Sequence, residues 1–161
     1  MKQCSIKYID KNSIFVARKL KFFNIQAIIN YLSIRWQVYI NEYKRSMFEE
    51  FELTDLKAQH YIFTSANKTI GIARVIYEHD MARISRIAIL KNYRGYGFGQ
   101  KLVAILITQI QNYKKIKVIK LIAADESLLT FYNKFGFENS DLVYFDDIPY
   151  ISMIKHINED K

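Results

Sequence analysis

Glycine is scarce in this 161-residue chain, five in all, yet three of the five stand at Gly95, Gly97 and Gly99. They separate an apolar, β-branched run ending at Leu90 from a stretch in which Leu102, Val103, Ile105, Leu106 and Ile110 recur at the spacing of one helical face. Alternating glycines let a backbone turn tightly through positive φ, and let its amides approach a ligand with no side chain between them. The segment from Ile84 to Lys101 therefore predicts a strand, a glycine turn and a helix N-terminus. Unpaired amides and the helix macrodipole at such a place suit a phosphate group.

Length and composition bound the rest. Half of the residues are hydrophobic, enough for one core, so residues 1–161 are expected to form a single domain. No apolar run approaches the ~18 residues of a membrane span, and the first residues lack the apolar block of a signal peptide. A cytoplasmic protein without a membrane partner is expected. Cys4 is the one cysteine, and His60, His79 and His156 are widely spaced, so neither a disulfide nor a metal site is expected. The net charge of +8 favours a polyanionic partner in general, either nucleic acid or a phosphorylated cofactor. Nucleic acid is the weaker of the two, because no helix-turn-helix or zinc module is recognisable and the aromatics do not interleave with a basic patch. The many Tyr and Phe residues leave room for a homodimer interface.

Taken in order, Ser13–Leu20 reads as a strand, with Ser5–Ile9 as a further short one. Apolar residues at Ile25, Ile28, Ile29, Leu32, Trp36, Tyr39 and Tyr43 predict helix, with Ser33 as the cap of a second helix. Glu49–Asp55 reads as an acidic loop that lines a cleft. Ala58–Thr64 and Thr69–Tyr77 flank a turn at Ser65–Lys68, and Met81–Leu90 completes three antiparallel neighbours. After the helix from Gln100 to about Tyr113, with Lys114 and Lys115 at its end, come a strand at Val118–Ala123 and a short helix at Ser127–Phe135 closed by Gly136. Two strands, Leu142–Phe145 and Tyr150–Ile157, end the chain. This order describes an α/β (α+β) domain, a mixed sheet covered by helices.

At this point the sequence resembles the GNAT superfamily of acetyl-CoA-dependent N-acetyltransferases. The family's cofactor motif, Gln/Arg-x-x-Gly-x-Gly/Ala after an apolar strand, reads here as Arg94-Gly95-Tyr96-Gly97-Phe98-Gly99. A second element, on the later short helix, reads as Phe131-Tyr132-Asn133-Lys134-Phe135-Gly136-Phe137. Ile34–Glu42 and Ile148–Met153 are similar to the Arg-x-x-Val-aromatic-aliphatic-x-Glu helix and the closing strand of a small bacterial branch. The resemblance spans about residues 13–156. It implies a mostly antiparallel sheet of six to seven strands with about four helices, and acetyl-CoA as cosubstrate with no metal.

The resemblance also implies roles. Arg94, Gly95, Tyr96, Gly97, Phe98, Gly99 and Gln100 would hold the pyrophosphate, and Ile87, Ala88 and Ile89 would pair with the pantetheine arm. Tyr132 matches the tyrosine that protonates the departing thiolate, since a phenol of pKa ~10 keeps its proton at neutral pH. The base is less defined. Where some members carry a glutamate on the fourth strand, this chain has Arg83, Ile84, Ser85 and Arg86. Glu42 is the candidate chosen, with Glu52, Asp55 and His60 as alternatives and ordered water as a route that needs no side chain. Relatives often carry Gln near Ala124 and His at the position of Tyr150, so the acceptor amine is not assigned by resemblance. A non-catalytic acyl-CoA-binding module is the alternative reading.

Overall fold

The computed structural model describes residues 15–157 except 22 and 146. Seven strands, β1 (Phe15–Lys19), β2 (Gln59–Ser65), β3 (Lys68–Glu78), β4 (Met81–Ile89), β5 (Val118–Ala123), β6 (Glu138–Phe145) and β7 (Ile148–His156), form one sheet in the order β1-β2-β3-β4-β5-β7-β6. Every neighbouring pair is antiparallel except β4 with β5. Among the described residues there are four α-helices, α1 (Ile25–Arg35), α2 (Met47–Glu50), α3 (Phe98–Gln111) and α4 (Glu126–Asn133). This is the mixed, mostly antiparallel α+β architecture that the sequence implies.

Local chemistry sets the boundaries. Asn24 caps α1 by accepting from the Ala27 amide at 2.9 Å, and Asp125 caps α4 by accepting from the Leu128 amide at 3.2 Å. Ala66 and Asn67 both have positive φ, and Ser65 pairs with Lys68 across them. That is the two-residue hairpin whose twist matches the flanking strands. Period-two alternation then divides the sheet's side chains between two cores. On one face Leu102, Val103, Leu106 and Ile110 of α3 pack with Phe63, Val75, Ile84 and Leu121. On the other, Ala27, Tyr31 and Ile34 of α1, with Val38, pack with Ile72 and Ala88. Two helices thus grip β3 and β4 from opposite sides and fix the strand that leads into the glycine turn.

Three expectations are corrected. Ser33 caps nothing: α1 continues without a break into a π-helical stretch, Trp36–Glu42. In it the Tyr43 amide donates to the Val38 carbonyl at 2.9 Å, one residue further back than in an α-helix. Glu49–Asp55 is no open loop, since α2 and a 3₁₀ turn (Leu53–Lys57) fold it onto the sheet. Lys114 and Lys115 lie beyond the end of α3, in the connection to β5. The additional strand read at Ser5–Ile9 lies outside the described residues.

Candidate active site

β4 and β5 run side by side only from Met81 opposite Val118 to Arg83 opposite Lys120. Both strands continue, β4 to Ile89 and β5 to Ala123, without further pairing, so the sheet opens between them. The β5-facing edge of Ile84–Ile89 is left without a strand partner. Main-chain amides there need partners, while the Ile87 and Ile89 carbonyls accept from the Tyr39 and Arg94 side chains and keep one lone pair each; an extended ligand bearing amides can pair with this edge as an added strand does. Within this edge β4 bulges: Ile72 faces Ala88 and Arg74 faces Ser85, so Arg86 and Ile87 together oppose Ala73.

At the end of β4 the chain passes through one 3₁₀ turn, Lys91–Tyr93, into the glycine segment. Gly95 and Gly97 have φ of +83° and +78°, a region open to glycine and disfavoured for other residues. A Cβ added at Gly95 would meet nothing within 4 Å, and one at Gly97 only Gln100 Oε1 at 3.9 Å. No packing inside the protein therefore requires these glycines to lack a side chain. Their left-handed conformation does, and a Cβ at either would stand in open space. Gly97 is the N-cap of the 14-residue α3, whose first amides face the same space. Phe98 offers only its backbone to that space, because its ring is buried against Phe15 and Phe63. Tyr96 is half exposed at the rim.

Arg94 does not point into free space. Its Nε donates to the Ile89 carbonyl at 2.8 Å, and its Nη1 and Nη2 donate to the two carboxylate oxygens of Glu42. The ion pair holds Glu42 below the usual carboxylate range and raises Arg94. Glu42 therefore joins the π-helical stretch to the glycine turn, and its proton affinity is reduced where a base would need it raised.

Tyr132 lies on α4 beside that turn, for a Cβ at Gly99 would stand 3.8 Å from the ring of its neighbour Phe131. The Tyr132 ring is buried, edge-on to Phe131 and Phe137. Among the described residues its hydroxyl has no hydrogen-bond partner. Burial, with smaller contributions from Asp125 and Tyr43, pushes its pKa up to about 12, so the phenol keeps its proton. Tyr39 completes the group. Its hydroxyl donates to the Ile87 carbonyl at 3.1 Å, directly at the bulge, its ring stands 6.1 Å from that of Tyr43, and burial raises its pKa. The sequence reading absorbed Tyr39 and Tyr43 into an apolar helix face. The distinguishing hint is the polar tip of Tyr39, which a tyrosine packed against the sheet satisfies with a partner.

His60 and the acidic segment are committed elsewhere. His60 Nε2 lies 2.9 Å from the Asp55 carbonyl, and Nδ1 2.8 Å from the Tyr31 hydroxyl. Since a carbonyl only accepts, Nε2 carries the proton and Nδ1 accepts from Tyr31. Burial lowers its pKa, which fits a neutral structural imidazole. Glu50, Glu52 and Asp55 face Arg35, Arg74 and Arg86, three charges of each sign. These three carboxylates are thus neutralised rather than presented to a cationic substrate, and of the segment's acids Glu49 stands exposed. Among the described residues, no group of three His, Cys, Asp or Glu side chains is arranged to hold a metal ion.

Residues 28–157 match the acetyltransferase (GNAT) domain family. The chain belongs to this family. It is 32% identical over 131 residues, 79% of this chain and 87% of its own, to the uncharacterised protein YyaT of Bacillus subtilis strain 168. The fold is shared with Escherichia coli ElaA, at a TM-score of 0.75 and 21% identity over 88% of this chain and 99% of that one. It is also shared with a Bacillus subtilis acetyltransferase solved in complex with CoA, at a TM-score of 0.66 and 13% identity over 90% of this chain and 100% of that one. The motifs at residues 94–99 and 131–137 thus named the right family, and its acetyl-CoA-binding fold is the one found here.

Proposed function

We propose that the protein moves an acetyl group from acetyl-CoA to a primary amine of a small molecule or a protein, by direct attack of the amine on the thioester. One observation carries the reading: the β4 edge without a strand partner runs straight into a left-handed glycine turn at the start of α3, against which α4, the helix that bears Tyr132, packs through Phe131. The CoA found with the Bacillus subtilis acetyltransferase supports the choice of ligand. Acetyl-CoA supplies the activated acyl group. The residues of this chain do the rest.

Amides from Gly95 through Gln100 hold the pyrophosphate, with no side chain intruding at Gly95, Gly97 or Gly99. Arg94, tied to Glu42, orders the turn more than it adds free charge. Ile87, Ala88 and Ile89 pair with the amides of the pantetheine arm, and a main-chain N–H of this edge faces the carbonyl oxygen on which negative charge develops. The amine nitrogen forms a bond to the acyl carbon as the carbon–sulfur bond breaks. Tyr132 gives its proton to the leaving sulfur and regains one from solvent. With Glu42 and His60 both engaged, the amine loses its proton to water. A cytoplasmic location, where acetyl-CoA is abundant, belongs to the same proposal. So does a homodimer, for which Leu142, Tyr144, Phe145 and Ile148 offer exposed apolar surface on β6 and β7.

Release of free thiol from acetyl-CoA in the presence of a panel of amines tests this reading. Turnover with any amine supports it. The engagement of all four base candidates, Glu42, Glu52, Asp55 and His60, favours a second reading, an acyl-CoA-binding module without catalysis, which predicts CoA binding and no thiol release with any amine.

A further inference from the structure

The bulge in β4 is built on an arginine in a conformation that arginine disfavours. Arg86 has φ of +52°, and bulges with a left-handed first residue ordinarily place glycine there. The side chain accounts for the exception. Its Nε stands 2.9 Å from Oε2 of Glu50, an ion pair without an aligned hydrogen bond to a side chain of no exposure, and its Nη2 donates to Glu52 Oε1 at 2.8 Å and to the Glu49 carbonyl at 3.0 Å. Glu50 is held in turn through its other oxygen, which accepts from Arg35 Nε at 2.8 Å. The same guanidinium lies 5.8 Å from the centre of the Tyr39 ring, and Tyr39 is the residue that binds the Ile87 carbonyl. Both residues of the bulge are therefore gripped from outside the strand, Arg86 by its side chain and Ile87 by its carbonyl.

We infer that Arg86 is a positioning residue for acetyl transfer. The carboxylates of Glu50 and Glu52 draw its guanidinium toward α2 and impose the left-handed turn on its backbone. The main chain of Ile87–Ile89 is thereby aimed into the opening between β4 and β5. Arg86 touches no reacting atom and acts through the strand. The inference rests on the proposed use of that edge to seat the thioester. It also gives the acidic segment a purpose other than substrate binding, as the anchor of a strained backbone whose strain sits beside the chemistry.

Arg86→Ala and Arg86→Gly separate this role from simple packing. Alanine removes the clamp and keeps the penalty on positive φ, whereas glycine removes the clamp and lifts the penalty. The full-length variants are compared for kcat and for KM toward acetyl-CoA, with an amine that the wild type acetylates, and for amide hydrogen exchange over residues 84–90. Arg86→Ala is expected to lose about tenfold or more in kcat with KM nearly unchanged, as for a misaimed catalytic group, and to exchange faster at 87–89. Arg86→Gly is expected to recover most of kcat and to slow the exchange again. Wild-type kcat in Arg86→Ala, a glycine variant as poor as the alanine one, or a loss confined to KM each overturns the inference. Should Arg86→Ala fail to fold, Glu52→Gln loosens the clamp without unpairing a buried charge. A kcat reduced about threefold then supports the inference, and an unchanged kcat overturns it. Absence of thiol release by the wild type with every amine refutes the acetyl-transfer reading itself, whereas wild-type turnover with an indifferent Arg86→Ala refutes only the role of Arg86.

Discussion

Arg35→Met removes the centre of the buried ion cluster and tests how the α2 segment is held. Arg35 is 1% exposed, and its Nε and Nη1 reach Glu50 and Asp55 at 2.8 and 2.9 Å. Its guanidinium also lies 4.7 Å from the centre of the Phe51 ring. Methionine fills much of the volume but leaves Glu50, fully enclosed, with Arg86 alone and Asp55 with Arg74 alone. Taking one partner from a buried pair destabilises by about 3–5 kcal/mol. The two remaining arginines offset part of this, so about 3 kcal/mol is expected, a large share of the roughly 5–15 kcal/mol typical of a domain. Urea unfolding at pH 7 followed by circular dichroism measures it, as a fall in midpoint at unchanged slope. In the double variant Arg35→Met/Glu50→Leu the fully enclosed carboxylate is gone, Asp55 keeps Arg74, and Arg86 keeps Glu52. The double variant should therefore be more stable than Arg35→Met by about 1 kcal/mol or more. A loss below about 1 kcal/mol in Arg35→Met, or a double variant weaker than the single one, would refute the reasoning.

Further outcomes are expected. Tyr132→Phe should lower kcat by about 10²-fold and leave KM for acetyl-CoA in place, as loss of a proton donor does. With the phenol at about 12, wild-type kcat should show no alkaline decline attributable to Tyr132 below about pH 10, and steady-state profiles check both points. Gly97→Val places a branched side chain at φ +78°, so it should reduce stability by about 1–2 kcal/mol and weaken CoA binding about tenfold or more, read by calorimetry. Acidification should act in two steps. Burial depresses the folded pKa of His60, so its contribution is complete above the unfolded value of about 6.5 and fades below it. Burial opposes the charge on Asp55, but Arg74 and Arg35 outweigh it and hold the carboxyl below its ordinary value. Its contribution is complete above about pH 4 and is lost at lower pH. Urea midpoints between pH 7.5 and 3.5 should show both, and His60→Gln should remove the first.

The fold was legible wherever period and punctuation agree. The glycine turn, the α3 stripe from Leu102 to Ile110, and the hairpin at Ala66–Asn67 all depend on interactions local in sequence. Legibility failed where distant residues decide. Ser33 has the chemistry of a cap, yet its hydroxyl accepts from Gln37 Nε2 at 3.0 Å within an unbroken helix, because Ile34 and Val38 must both reach Ile72 and Ala88. Glu50 reads as a surface acid until Arg35 and Arg86, 15 and 36 residues away, enclose it. In the candidate site, Tyr132 and the residues from Gly95 to Gly99 are nominated by motif, since each belongs to a pattern contiguous in sequence. The Arg94–Glu42 pair spans 52 residues, and no local pattern announces that a cofactor-loop arginine and a candidate base occupy one another. Arg86 was legible only as the absence of a glutamate. Its φ became visible with the register of β3 against β4.

The central claim is that the unpaired edge of β4 and the turn after it jointly seat CoA. Amide hydrogen exchange of the full chain, with and without saturating CoA, tests it directly. Slowed exchange at both 87–89 and 95–100, with little change in the β1–β2 pair, is the predicted result. CoA binding that leaves either segment unprotected, or no binding at all, would contradict it.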